Sequence, residues 1–239
     1  MRPAPPSGPE AAASLPGGMV LHPGRLDEAE QHALMAEVEA IWDAAPPRRP
    51  VTRWGKPMSV AMSAAGALGW TSDRRGYRYA PLQEDGRPWP PIPARLLALW
   101  RAVAPGAADP DSLLVNLYRG GARMGLHQDR DEADLDQPVV SVSLGDVAVF
   151  RIGGLARGGP TRSIRLRSGD VLVMGGPARL FFHGIDRLLP GTSGLVPGGG
   201  RVNLTLRVAG QRPADQLSDT ARRVTNSAMR PTMRQASDT

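Results

Sequence analysis

The chain has 239 residues, 41% of them hydrophobic, enough for one well-buried domain with tails. It contains no Cys, which excludes disulfides, thiolate zinc sites and cysteine nucleophiles, so any metal must sit on His and carboxylate ligands. A net charge of +6 and a pI near 10.8 favour a polyanionic partner such as nucleic acid, although Lys56 is the only Lys among the basic residues.

Residues 1–18 are rich in Pro, Ala and Gly without periodicity, and residues 212–239 mix Ser, Thr, Arg and Asp; both are expected to be disordered tails around a working domain at 19–211. The N-terminal stretch lacks the apolar centre of a secretory signal, and no segment reaches the ~18 apolar residues of a membrane span. A cytoplasmic protein with no membrane attachment is expected.

"RLDEAEQHALMAEVEAIW" places Leu26, Ala29, Ala33, Leu34, Val38, Ile41 and Trp42 at helical spacing, with Asp27 and Glu30 in capping-box positions, and predicts an outer helix. His22 and His32 fall in this outer-helix region and are expected to be surface groups. The next stretch, residues 56–93, is too broken by Gly and Pro for a long element and predicts strands with long loops, where binding groups often sit. "PARLLALWRAV", opened by Pro93 and stopped near Pro105-Gly106, predicts a second, short helix.

From Leu113 onward the period becomes two. "LLVNLYR", "VVSVSLGDVAVFRI", "SIRLRSGDVLVMGG" and "RVNLTLRVA" read as strands, with Ser168-Gly169-Asp170 expected to be a hairpin turn. Helices followed by a series of strands predict a β-sandwich or open barrel buttressed by helices on one side.

In the last strand Val202, Leu204, Leu206 and Val208 share one face, while Arg201, Asn203, Thr205 and Arg207 share the other. That polar face is either solvated or the wall of a cavity. As a wall, it would let two long Arg side chains converge on a short dianion, with Asn116 and Tyr118 adding an amide and a phenol from another strand. The segment "MGLHQDRDE" poses a similar choice. His127-x-Asp129 is half of a metal site or an ordinary acidic turn, and His183 is a third ligand or a core His bonded to a carbonyl. If the three meet, they form the two-His, one-carboxylate set that holds a non-haem Fe(II) with positions left open.

The motifs "PMSVAM", "LGWTSDRRGYRYAP", "PWPPIP", "VNLYRGGARMGLHQDRDEADL", "SGDVLVMGGPARLFFHGI" and "RVNLTLRVAG" together resemble the AlkB-type Fe(II)/2-oxoglutarate dioxygenases, which oxidatively remove alkyl groups from nucleic-acid bases. The resemblance covers most of residues 20–210. It implies a mainly β chain with flanking helices: a double-stranded β-helix (jelly roll) with an N-terminal helical buttress and a nucleotide-recognition lid at about residues 50–85. It implies Fe(II), 2-oxoglutarate and O2 as cofactor and co-substrates, with iron on His127, Asp129 and His183. Asn116, Tyr118, Arg201, Asn203 and Arg207 match 2-oxoglutarate contacts, Arg201 at the distal carboxylate and Arg207 near the one beside the metal. Trp70 matches the aromatic that stacks on a flipped base, Asp131 the carboxylate that reads its exocyclic amine, and Met62, Tyr77 and Arg157 residues on the substrate side.

The implied activity is demethylation of 1-methyladenine and 3-methylcytosine lesions, with single- or double-stranded DNA as partner and RNA as a further candidate, by a monomeric enzyme. Arg74, Arg75 and Arg78 form a candidate phosphate-contact patch. Two departures from the family stand out: Trp54 and Lys56 in the lid, and Met174 where an aromatic is common. A hydroxylase acting on a protein or small molecule, and a non-catalytic nucleic-acid-binding module, are the rival readings.

Overall fold

The structure is a computed structural model and describes residues 11–52 and 54–210. In chain order it contains β1 (Ala13–Ser14), β2 (Val20–His22), α1 (Glu28–Ala44), β3 (Ala61–Gly66), β4 (Gly69–Asp73), β5 (Gly76–Ala80), α2 (Ala94–Val103) and β6 (Ser112–Tyr118). There follow β7 (Met124–His127), β8 (Val139–Gly145), β9 (Val147–Ile152), β10 (Arg162–Leu166), β11 (Val171–Met174), β12 (His183–Leu189) and β13 (Arg201–Arg207). α1 starts where its cap residues dictate: the Asp27 carboxylate accepts from the Glu30 N–H, and the Glu30 carboxylate accepts from the Asp27 N–H.

The strands form two large antiparallel sheets. The major sheet runs β1-β2-β11-β8-β13-β6-β3 and the minor sheet β10-β9-β12-β7. One face of the major sheet, carrying Leu113, Val115, Val140, Val142, Leu204 and Leu206, packs on Leu34, Val38 and Ile41 of α1 and Leu96 and Trp100 of α2. Its other face meets the minor sheet through Leu114, Leu172, Phe150, Ile152 and Ile185. The chain is thus a jelly roll with helices covering one side, and the cavity lies between the sheets. No described helix is long and apolar enough to cross a membrane.

The structure changes several expectations. Ser168-Gly169-Asp170 is a tight turn but not a hairpin, because β10 pairs with β9 whereas β11 pairs with β8 and β2. Turn residues set a reversal of direction; the burial of the apolar run in β11 decides its partner. Gly169 is required there, since its φ is +86° and a Cβ would lie 2.5 Å from the Leu26 carbonyl oxygen.

Strand pairing is also found inside the expected 1–18 tail. Ala13–Ser14 pairs with β2, Leu15 packs on the inter-sheet core, and the backbone at Gly17 passes against Phe181. Backbone pairing needs no apolar pattern, so composition could not disclose it. Residues 1–10 and the expected tail at 212–239 lie outside the described residues. His22 is on β2, opposite Val171, rather than beside the helix.

The 50–85 stretch is divided between two settings. β3 is the last strand of the major sheet, beside β6, while β4 and β5 form a separate two-stranded sheet.

Candidate active site

β7 and β12 are neighbours, and their register sets His127 directly opposite His183. Cross-strand partners share a face, so both imidazoles project to the same side, with ring centroids 4.6 Å apart. Asp129 follows β7 by two residues and turns its carboxylate toward them, Oδ1 lying 3.7 Å from His127 Nε2 and Oδ2 3.9 Å from His183 Nε2. One ligand atom from each residue lies within 4.8 Å of the others. Each ring is oriented through its other nitrogen: Nδ1 of His127 donates to the Gly125 carbonyl and Nδ1 of His183 to the Phe181 carbonyl, both at 2.9 Å. A carbonyl can only accept, so each Nδ1 carries a proton and Nε2 is the nitrogen turned to the carboxylate. Gly184 permits the close approach of the strands, since a Cβ there would lie 2.5 Å from the Met124 carbonyl oxygen.

The alternating polar face of β13 is a cavity wall rather than a solvated surface. β13 lies between β6 and β8, with Arg201 opposite Tyr118, Asn203 opposite Asn116 and Ser143, and Thr205 opposite Ser141. Arg201 is 0% exposed. Its Nη2 donates to Ser143 Oγ at 2.7 Å, while Nε has no protein partner, and Asn116 Oδ1 is likewise buried without one. Burial draws the Arg201 pKa down to about 10. Arg207, at the other end of the strand, donates from Nη2 to Asp129 Oδ2 at 2.8 Å.

Around the mouth, Trp70 of β4 stacks on Tyr77 of β5 with centroids 5.4 Å apart, and Trp70 Nε1 donates to Asp131 Oδ2 at 3.2 Å. Arg157 lies over the Phe182 ring, 5.1 Å from its centroid. The structure brings the thirteen residues matched in the sequence to metal, 2-oxoglutarate and base contacts to the lining of one cavity of about 640 Å³. Met174 also lines it. Trp54 does not: it is 70% exposed. Arg78 pairs with Asp73 at 2.8 Å near the far end of the hairpin, and Arg74 and Arg75 are exposed at its turn.

Electrostatics favour ligation. Burial alone would raise the Asp129 carboxyl, but the Arg207 guanidinium, joined by the imidazoles where they are protonated, outweighs it and holds the group ionised, well below the usual carboxylate range. Burial and the neighbouring His127 bring His183 down to about 4, so it is neutral, the form that ligates a metal.

Three further residues, Glu132, Arg179 and Tyr79, join the site's network beyond those expected from the sequence. Glu132 is buried, accepts from Arg179 Nη2 (3.0 Å) and the Tyr79 hydroxyl (2.7 Å), and is ion-paired with Arg207, whose Nε lies 3.2 Å away and donates to Asp129 Oδ2. Arg179 also donates to the backbone carbonyls of Asp129 and Gln137, clamping the ligand-bearing loop onto the turn that leads into His183. A lone Arg inside the apolar run "ARLFF" was a signal for Arg179. Glu132, one of several acidic residues in a row, carried none.

The sequence profile of the 2OG-Fe(II) oxygenase superfamily matches residues 18–207. An AlkB-homologue alpha-ketoglutarate-dependent dioxygenase of Caulobacter vibrioides is 62% identical over 193 residues, covering 80% of this chain and 88% of that one. The chain belongs to the AlkB group of the 2OG-Fe(II) oxygenases. Alpha-ketoglutarate-dependent dioxygenase AlkB of Escherichia coli is 42% identical over 201 residues, covering 82% of this AlkB-type chain and 92% of its own. The solved structure of OsALKBH1 superposes with a TM-score of 0.70 at 31% identity, covering 84% of this chain and all of that one.

As a member of this group the enzyme uses Fe(II), 2-oxoglutarate and O2. Its own residues fit them. Two oriented imidazoles and an ionised carboxylate are the donor set ferrous iron takes, and three protein ligands leave room for a chelating co-substrate and oxygen. Arg201 and Asn116 both line this cavity, and Arg201 Nε and Asn116 Oδ1 are buried without a protein partner, a donor and an acceptor left beside the place of a bound 2-oxoglutarate.

Proposed function

We propose that this oxygenase removes methyl groups from 1-methyladenine and 3-methylcytosine in DNA, repairing alkylation damage, with RNA as a further substrate. The observation that carries the reading is the union, in one cavity, of the His127-Asp129-His183 cluster, a guanidinium-lined wall and an aromatic rim. When bound, iron, 2-oxoglutarate and O2 supply the oxidising chemistry: the N-methyl group leaves as formaldehyde while 2-oxoglutarate becomes succinate and CO2.

The protein's part is to bind and orient. Arg201 holds the distal carboxylate of 2-oxoglutarate and Arg207 the one beside the metal, each by charge-assisted hydrogen bonds. Asn116, Tyr118 and Asn203 complete that subsite. A methylated base is buried in a duplex, so it must be extruded into the site. Trp70 then stacks on one face with His127 on the other, and Asp131 accepts from the exocyclic amine. Met62, Tyr77 and Arg157 enclose the sugar and base, and Arg74, Arg75 and Arg78 meet the phosphates. The net charge of +6 supports a polyanionic substrate. The lid lies within about residues 50–85, outside β3 of the major sheet, and the enzyme acts as a cytoplasmic monomer.

The test is to incubate the purified protein with Fe(II), ascorbate, 2-oxoglutarate and an oligonucleotide carrying either lesion, and to follow the oligonucleotide mass. Loss of one CH2 unit is expected. Succinate released without that loss, in the presence of methylated DNA or RNA, would overturn the assignment.

A further inference from the structure

The β4–β5 hairpin is a two-stranded sheet on its own, and two strands are at best marginally stable without support. Its support includes two side-chain bonds to the loop that follows His127. Trp70 Nε1 donates to Asp131 at the exposed rim, and the hydroxyl of half-buried Tyr79 donates to the buried Glu132 at 2.7 Å. The acceptor atom of the second bond, Glu132 Oε1, also lies 3.2 Å from Nε of Arg207, while its other oxygen is held by Arg179 at 3.0 Å. One oxygen therefore serves both the hairpin and the guanidinium assigned to 2-oxoglutarate.

We infer that Tyr79 is a positioning residue that ties the base-stacking hairpin to Arg207 through the shared Glu132 carboxylate, so that 2-oxoglutarate binding firms the hairpin wall. The inference rests on the role of Arg207 given under the proposed function. The physical reason is that one carboxylate oxygen is shared by a hydrogen bond and an ion pair. Without co-substrate, the Arg207 cation donates from Nε and Nη2 to Asp129 Oδ2 and, with Nε 3.2 Å from Glu132 Oε1, neutralises part of the charge on that oxygen. A co-substrate carboxylate draws that cation toward itself, and Glu132 Oε1, less neutralised, becomes a stronger acceptor for the Tyr79 phenol. Burial, with the Glu132 charge adding to it, keeps the phenol protonated and thus a donor. The coupling must be reciprocal: a docked hairpin favours bound 2-oxoglutarate to the same extent.

The test uses amide hydrogen exchange of the full-length protein loaded with Mn(II), before and after adding 2-oxoglutarate, with calorimetry on the same samples to score co-substrate binding. In the wild type, amides of residues 69–80 should exchange roughly three- to tenfold more slowly once 2-oxoglutarate is bound. In Tyr79→Phe this response should shrink to less than about twofold while the co-substrate still binds. Glu132→Gln should lose it as well, and the loss in either folded variant suffices. Asp73→Asn, which loosens the far end of the hairpin without touching Glu132, should raise exchange overall yet keep the response, an outcome that mere destabilisation by Tyr79→Phe would not reproduce. An equal response in Tyr79→Phe, or a wild-type hairpin indifferent to calorimetrically bound 2-oxoglutarate, overturns the inference. No DNA enters the experiment, so a failed demethylation assay beside an intact hairpin response would sink the substrate reading alone. Absence of 2-oxoglutarate binding in the wild type would overturn both.

Discussion

Arg207 and Asp129, 78 positions apart in the chain, are joined by a 2.8 Å hydrogen bond from Nη2 to Oδ2 in a site that is 6% and 9% exposed at the two residues. The same guanidinium lies 3.2 Å from Glu132, whose other oxygen is paired with Arg179. Removing Arg207 leaves the buried Asp129 without a guanidinium partner and Glu132 with that of Arg179 alone. Arg207→Ala should lower unfolding stability by about 3–5 kcal/mol in metal-free protein, read from denaturant midpoints at constant slope. A loss below roughly 1 kcal/mol would mean that the pair is solvated in solution.

Metal binding should be visible without turnover. Ligands that bind only the folded state stabilise it by about 2.7 kcal/mol at a hundred times their dissociation constant. Mn(II) should therefore raise the melting temperature of the wild type, and Asp129→Ala and His183→Ala should abolish the shift. A full shift in Asp129→Ala would remove that carboxylate from the ligand set.

Arg201 is wholly buried with an unpartnered Nε in the cavity wall, so its loss should act on co-substrate rather than on DNA. A charge-assisted bond contributes about 1.5–3 kcal/mol, and Arg201→Met should weaken 2-oxoglutarate binding roughly ten- to hundredfold. Affinity for the methylated oligonucleotide should stay within about twofold in direct titrations without co-substrate.

Trp70 stands at the rim, stacked on Tyr77, and its effect should be the reverse. Stacking of a base on an aromatic contributes about 1–3 kcal/mol, so Trp70→Ala should raise KM for the methylated oligonucleotide by roughly tenfold or more. The 2-oxoglutarate dissociation constant should not follow it. Equal losses in both would point to collapse of the hairpin instead.

Alkaline titration reports the two interior phenols. Burial raises the pKa of Tyr79 and of Tyr118 above the ordinary value of 10.0. The folded state therefore holds protons that the unfolded chain releases, and stability, fully present below pH ~10, falls as the pH rises through that value. Of the three tyrosines, two should ionise only as the protein unfolds. Full phenolate absorbance with the native circular dichroism retained would contradict the buried placement.

Much of this was legible in the chain itself, for physical reasons. Period-two alternation placed Arg201, Asn203, Thr205 and Arg207 on one face because a strand turns successive side chains to opposite sides. The capping pair Asp27 and Glu30 fixed the start of α1 because its bonds span only three residues. Local rules went wrong where a partner had to be chosen. The turn at Gly169 reversed the chain as expected yet led to another sheet, and Ala13–Ser14 joined the major sheet without any apolar pattern.

What the sequence determined by itself was chemical: no thiol, a short supply of His, and alternating faces bearing donors of the right kind. Tertiary structure alone decided between a solvated and an interior polar face, and which acid meets which cation. Glu132 is 47 positions from Arg179 and 53 from Tyr79, and the three converge only because the sheets close on each other. No periodicity extends over such separations, since charge pairing in a dry interior depends on proximity in space and on the removal of water, both of which come into being with the fold.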